Sequence, residues 1–256
     1  MSYDPVQRHL AIEKLVTRPG TEGQEKKYYR FRPARWYGGI VTADCAGCGL
    51  LCRFCWVRDS VMLSPADTGR FYTPRQVADN LTTWSRKCGF RQLRVSGGEP
   101  TIGKAHLLQL LDLLKDKGFS FILETNGILL GYDEHYAKDL ARYDFLHVRV
   151  SLKGCSKQEF SVLTGAKSEG FELQLSSLEK LTKAGVKCHP SIMISFSSRE
   201  NLRELEEKLR QLSPDLMGQV EIEELIFYPH VVRRLQKYRL HHFSGYEPSK
   251  VPSEQV

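Results

Sequence analysis

Apolar residues fall along this chain in two alternating rhythms. Short runs rich in β-branched and aromatic residues recur, and six of them read as strands. They are GGIVTA (Gly38–Ala43), RQLRVS (Arg91–Ser96), FSFILE (Phe119–Glu124), FLHVRV (Phe145–Val150), KCHPSIMI (Lys187–Ile194) and VEIEELIF (Val220–Phe227). Between them the apolar positions take a helical period. TPRQVADNLTTWSRKCG opens with Thr73 as cap and Pro74 in the first turn, and closes at Gly89. KAHLLQLLDLLKDKG sets Leu107, Leu110, Leu111 and Leu114 on one face and stops at Gly118. EGFELQLSSLEKLTKAG and SSRENLRELEEKLRQLS repeat the pattern. Strands alternating with helices predict βαβ units, a parallel sheet and an α/β fold. Six units make either an open doubly wound sheet or an incomplete barrel. Both put chemistry at the C-terminal ends of the strands.

The flanks differ from this middle. Residues 1–35 read as an N-terminal extension, with a helical run VQRHLAIEKLV followed by a charged loop TRPGTEGQEKKYYR. Residues 36–235 hold the βα units. Residues 236–256 form a polar, proline-containing tail that is expected to be mobile. A single domain is expected, since 256 residues suit one α/β unit of barrel size.

Composition and charge narrow the function classes only a little. An apolar content of 41% with 26% charged residues is that of a globular protein. A net charge of +7 suits an acidic partner. No block of like charges and no RNA-binding motif sharpens that reading. The longest apolar runs, such as Leu107–Leu111, fall far short of a membrane span, and the N-terminus lacks the apolar core of a signal peptide. The expectation is a cytoplasmic protein without membrane contact. Thiols stay reduced there, so clustered cysteines point to metal rather than disulfides.

Three cysteines do cluster. Cys48, Cys52 and Cys55 lie in CGLLCRFCW, spaced C-x3-C-x2-C, directly after the first strand. A [4Fe–4S] cluster usually takes four thiolates, so three would leave one iron open to a ligand. Cys45 adds a C-x2-C before the triplet and keeps two alternatives alive. One is a zinc site, although zinc sites usually separate their cysteine pairs by about a dozen residues or more. The other is a closed four-thiolate cluster. Either would make the chain a metal-binding module without catalysis. Cys88, Cys155 and Cys188 stand singly and read as inert thiols. Trp36 and Tyr37 precede the first strand and could cover a cluster, although aromatic packing alone explains them, and HVVRRLQKYRLHH (230–242) reads as a solvated basic helix face ahead of a surface for an acidic substrate.

A second motif extends the first. VSGGEPT (Val95–Thr101) ends the second strand, and paired glycines there would let backbone approach a ligand closely. With C-x3-C-x2-C and GGE in this order, the chain resembles the radical SAM enzymes across residues 38–230. Phe54 matches the aromatic residue that precedes the last cysteine in that family. The resemblance implies a partial (β/α)6 barrel. It also implies a [4Fe–4S] cluster on Cys48, Cys52 and Cys55 whose free iron chelates S-adenosylmethionine. Reductive cleavage would give methionine and a 5′-deoxyadenosyl radical that removes hydrogen from a substrate. Gly97, Gly98 and Glu99 would receive the methionine amino group. The later strand ends LETNG, VSLKG and LIFYPH look most like the activating enzymes of glycyl-radical proteins. On that likeness Glu124, Asn126, Ser151, Lys153 and His230 are candidates for the S-adenosylmethionine surroundings, with Ser151 standing where that subgroup carries aspartate. An external one-electron reductant of flavodoxin or ferredoxin type is implied. The substrate would be a glycine in a partner protein, a tRNA nucleoside or a small metabolite.

Overall fold

The computed structural model describes residues 2–252, so Met1 and the last four residues of the expected tail lie outside the described residues. Helix α1 (Pro5–Val16) opens the chain, with the Asp4 carboxylate accepting from the N–H groups of Val6 and Gln7. The segment expected to be a charged loop is instead an antiparallel hairpin, β1 (Thr17–Gly20) and β2 (Gly23–Ala34). Its charges mislead because Lys26 is buried. The Lys26 ammonium donates to the carbonyls of Glu99, Pro100 and Ile102 at 2.9, 2.9 and 2.6 Å, so the lysine ties strand to loop rather than facing water.

From β2 the sheet continues through β3 (Ile40–Cys45), with β4 (Arg70–Tyr72) pairing back onto β2. Five parallel strands extend it: β5 (Gln92–Gly97), β6 (Ser120–Thr125), β7 (Leu146–Leu152), β8 (Cys188–Met193) and β9 (Glu221–Glu223). Together with β3 these are the six predicted strands. The last is much shorter than VEIEELIF implied, because the backbone finds other partners after Glu223. Leu225 N donates to Ser195 Oγ, and Phe227 N donates to the Tyr246 carbonyl. The stretch after the last helix thus lies against the segment following β9, where Tyr246 N also donates to Leu225 O.

One contact shows that the sheet curls. Tyr37 Oη, before β3, donates to Glu221 Oε2 on β9 at 3.4 Å. Five strand spacings separate β3 from β9, about 24 Å in a flat sheet at ~4.8 Å each. No tyrosine spans that distance. The strands therefore bend into an arc, and β9 pairs with β8 alone, leaving a partial (β/α)6 barrel open along one side.

The two faces of the arc differ. Val41, Ala43, Leu93, Val95, Phe121, Leu123, Val148 and Val150 are almost fully buried under the helices. The covering helices include α2 (Pro74–Cys88), α3 (Lys104–Leu114), α4 (Lys157–Thr164), α5 (Gly170–Lys183) and α6 (Arg199–Leu212), and α7 (Pro229–Tyr238) closes the fold. Helix α2 starts on the predicted cap, where Thr73 and Gln76 form a reciprocal capping box, and stops at Gly89 with φ 72°. Helix α3 buries Leu107, Leu110, Leu111 and Leu114, as its spacing predicts. Most alternate residues of the same strands, among them Thr42, Asp44, Arg94, Ser96, Glu124, Arg149 and Ser151, are polar, and they line the concave face.

Candidate active site

The strand ends carry two loops that touch each other. After β3 the chain runs through Ala46 and Gly47 into the cysteine loop. Gly98 N donates to Cys45 O at 2.7 Å, and Glu99 N donates to Gly47 O at 2.6 Å. A Cβ on Gly98 would press into the Gly47 carbonyl and lie 2.9 Å from Cys45 O. Gly97 adopts φ 92°, which favours glycine. The glycine pair is thus required by close backbone approach, and it brings the GGE motif against the cysteine loop.

The three thiols occupy one short loop and form no disulfide. Cys52 is buried, and Cys48 and Cys55 are half-buried. Burial raises the Cys48 thiol well above its ordinary range, and the neighbouring Glu99 and Cys52 add to this. Burial also pushes Cys52 up to about 12, opposed by the Lys153 ammonium and the Arg234 guanidinium. Asn126 Nδ2 lies 3.6 Å from Cys48 Sγ and 3.1 Å from His9 Nε2. Phe54 is buried and packs on Phe196 at 5.3 Å between ring centres. Among the described residues, no three histidine, cysteine, aspartate or glutamate side chains stand close enough to hold a single metal ion. A four-iron cluster is a different case, since each thiolate takes its own iron. Cys45 stands apart: it shares the helix-facing side of β3 with Val41 and Ala43, is fully buried, and neighbours the Lys26 ammonium.

Glu99 is engaged within the chain. Its Oε1 accepts from Thr101 N, Thr101 Oγ1 and Thr125 Oγ1 at 3.0, 2.6 and 2.6 Å, and its Oε2 accepts from Asn126 N at 2.8 Å. Three of these donors crowd Oε1 and one reaches Oε2, so one Oε2 lone pair remains for a ligand. Its side chain organises the ends of β5 and β6, and the Gly98 N–H is itself taken by the Cys45 carbonyl.

The other predicted residues divide into two groups. Glu124 and Ser151 lie on the concave face. Glu124 accepts from Arg94 Nη1 at 2.7 Å and Ser96 Oγ at 2.5 Å. Ser151 accepts from Arg149 Nη1 at 2.8 Å and donates to Glu223 at 3.3 Å. Arg149 also binds Glu221 at 2.6 Å and Glu223 at 2.6 Å. Burial opposes the charge on Glu221, but hydrogen bonds from Arg149 and His189 outweigh it and hold the carboxyl well below its usual range. Lys153 stands between this group and the thiols, its charge felt by both Glu223 and Cys52. His230 is placed elsewhere: its Nε2 lies 2.7 Å from Trp56 O, and its ring stacks on Tyr228.

The structure decides one open alternative and corrects one expectation. Tyr37 does not cover the cysteines. It precedes β3, at the end of the arc opposite the cysteine loop, with its hydroxyl on Glu221. Nor is the basic stretch after β9 wholly solvated. Arg234 on α7 is buried, and its guanidinium donates to the carbonyls of Cys52 (3.4 Å), Cys55 and Val57 (2.8 Å) and pairs with Asp59 at 3.2 Å. His230 and Arg234 are four residues apart, so one helix face grips the cysteine loop at both points. That spacing was visible in the sequence, but nothing in it named the loop as target.

The donor chemistry suits an iron–sulfur cluster with one open position: three thiols on one short loop, Cys45 on the helix-facing side away from them, and the glycine pair pressed against that loop. Comparison with known proteins agrees. The model of the Radical SAM superfamily matches residues 44–212. A probable GTP 3′,8-cyclase of Methanococcus aeolicus is 29% identical over 157 residues, covering 60% of this chain and 48% of that protein. The pyruvate formate-lyase-activating enzyme of Clostridium pasteurianum is 25% identical over 203 residues, covering 76% of this chain and 77% of that one. This chain spans about half the length of the cyclases it matches. Among solved structures, Streptococcus suis SuiB bound to its precursor peptide SuiA superposes with a TM-score of 0.58 at 15% identity, over 78% of this chain and 46% of that one, a likeness of fold.

Proposed function

Because this chain belongs to the radical SAM superfamily, we propose that it removes a hydrogen atom from a small polar substrate seated against the concave face of the barrel. Members of the family use a [4Fe–4S] cluster and S-adenosylmethionine. When bound, these supply one-electron cleavage of the sulfonium to methionine and a 5′-deoxyadenosyl radical. On this reading Cys48, Cys52 and Cys55 hold the cluster, and Arg234 and His230 fix the loop that carries them. The Gly97–Gly98 backbone and the remaining Oε2 lone pair of Glu99 receive the methionine end. Phe54 shields the thiols from water. Asn126 and Lys153 flank the cysteines and belong to the cofactor's surroundings. Glu124 and Ser151 belong instead to the substrate's side, each tied to an arginine of the concave lining. An external one-electron reductant and a substrate complete the system, as the family generally requires.

The observation that carries the substrate reading is the lining itself. Arg94–Glu124 and Arg149–Glu221–Glu223 are ion pairs held inside the arc, a wall suited to a polar molecule. The likeness to the pyruvate formate-lyase-activating enzyme, over three quarters of both chains, favours a second reading in which the substrate is a glycine of a partner protein.

The test is anaerobic reconstitution with iron and sulfide, then dithionite and S-adenosylmethionine. The expected product is 5′-deoxyadenosine, absent with Cys52→Ala. A preparation with a verified [4Fe–4S] centre that yields none overturns the proposal. A glycyl radical doublet on an added partner protein would decide for the second reading.

A further inference from the structure

Charge is unevenly shared along the concave face. At its β2 margin two guanidiniums lean on one carboxylate. Arg30 Nε and Arg32 Nε both donate to Asp44 Oδ2, at 2.6 and 2.9 Å, and Arg32 Nη2 reaches Asp44 Oδ1 only at 3.5 Å. Asp44 is fully buried, whereas the Arg30 and Arg32 side chains keep 46% and 23% of their surface exposed. Each guanidinium has five N–H donors, and the single carboxylate uses few of them. Arg94, further in, is already matched by Glu124. Among the described residues, the β2 margin thus sets two positive charges against one carboxylate, while the β9 side sets two carboxylates, Glu221 and Glu223, against Arg149.

Position adds to the argument. Arg30 and Arg32 are two residues apart on one strand face, opposite Asp44 and Thr42 in register. Asp44 abuts the GGE strand end, its Cβ standing 3.0 Å from where a Gly97 Cβ would lie. The planar fork of a guanidinium matches the two oxygens of a carboxylate or phosphate.

We propose that Arg30 and Arg32, pre-set by Asp44, form an oxyanion anchor that holds a phosphate or carboxylate group of the substrate at the β2 margin of the open barrel. This rests on the radical SAM reading above and adds the class of substrate: an anion. The anchor fixes one end of the molecule, and the paired charges deeper in the arc meet the rest.

The test uses reconstituted, anaerobic full-length enzyme with S-adenosylmethionine present. Binding of inorganic pyrophosphate and of succinate is measured by equilibrium dialysis. Saturable binding of pyrophosphate marks a phosphate-bearing substrate, and of succinate a carboxylate. Arg32→Gln is expected to weaken the bound probe about tenfold or more, the scale of a lost charge-assisted hydrogen bond. Arg32→Lys, which keeps the charge but not the fork, is expected to fall between. Asp44→Asn releases both guanidiniums and is expected to tighten binding, a direction that damage to the fold would not produce. Three results overturn the anchor: no saturable binding of either probe, equal affinity in all variants, or competition between the probe and S-adenosylmethionine. The last would assign the arginines to the cofactor. Failure of wild-type enzyme to form 5′-deoxyadenosine would instead overturn the underlying reading, so the two failures are told apart.

Discussion

The two faces of one sheet are built by opposite rules. On the helix side, Leu93, Phe121, Leu123 and Val148 bury aliphatic and aromatic surface, each residue gaining from area removed from water whatever its exact neighbour. On the concave side, Arg94, Glu124, Arg149 and Glu223 gain only through particular partners, since an unpaired charge there would be costly. The first face tolerates exchange of one apolar residue for another of similar volume. The second tolerates almost none, and that is the property a selective surface needs.

The sharpest way to break this contrast is to damage each face once. Phe121→Ala on the helix side is expected to cost ~3–5 kcal/mol, read from urea denaturation. Arg149→Met on the concave side strands Glu221 and Glu223, and because those carboxylates are partly exposed the expected cost is smaller, ~2–3 kcal/mol. Adding Glu221→Gln and Glu223→Gln should recover much of it, whereas no polar change should rescue Phe121→Ala. Equal losses without rescue would show that the lining is ordinary core.

Arg234→Met probes the junction between the two faces. It removes the donors to the Cys52, Cys55 and Val57 carbonyls, and iron is expected to leave the reconstituted protein to a chelator about tenfold faster, a loss of ~1.4 kcal/mol. Cys45→Ala, on the helix side, should leave the iron content unchanged and cost ~1 kcal/mol of stability.

The most gradual expected effect is titration. His106 is buried, and burial lowers its pKa to about 3, helped by the Lys26 ammonium and opposed by the Gln24 carbonyl. The unfolded chain then binds the proton more readily than the folded one. Stability contributed by the neutral ring is present above the unfolded value of ~6.5 and falls as pH drops toward 3, by at most ~1.4 kcal/mol per unit. Denaturation at pH 7, 6 and 5 should show this slope, and His106→Gln should reduce it, leaving the share of His9 and His147, which burial also lowers.

These faces also explain what was legible in the sequence. Five of the six parallel strands were visible because a buried face imposes a repeat of apolar residues on them, whereas β9, with only Ile222 between two glutamates, was read too long. The cysteine and GGE loops were visible because their spacings are particular. Lys26, Arg234 and the pair Arg30–Arg32 were not, since each acts through a partner between 12 and 182 positions away. A charged residue reads as solvated until the fold supplies its counterpart. Glu99 adds a structural part that its motif did not announce, four internal donors that tie the ends of β5 and β6 together.

The grip of α7 on the cysteine loop has a consequence for biosynthesis. Arg234 follows Cys55 by 179 residues, so on the ribosome the loop emerges long before its clamp. At ~5–20 residues per second that interval is on the order of ten seconds or more. The thiols spend it unclamped and open to adventitious metal or oxidant. Iron delivered once α7 has folded meets a clamped loop, which makes completion of α7 the natural checkpoint for maturation.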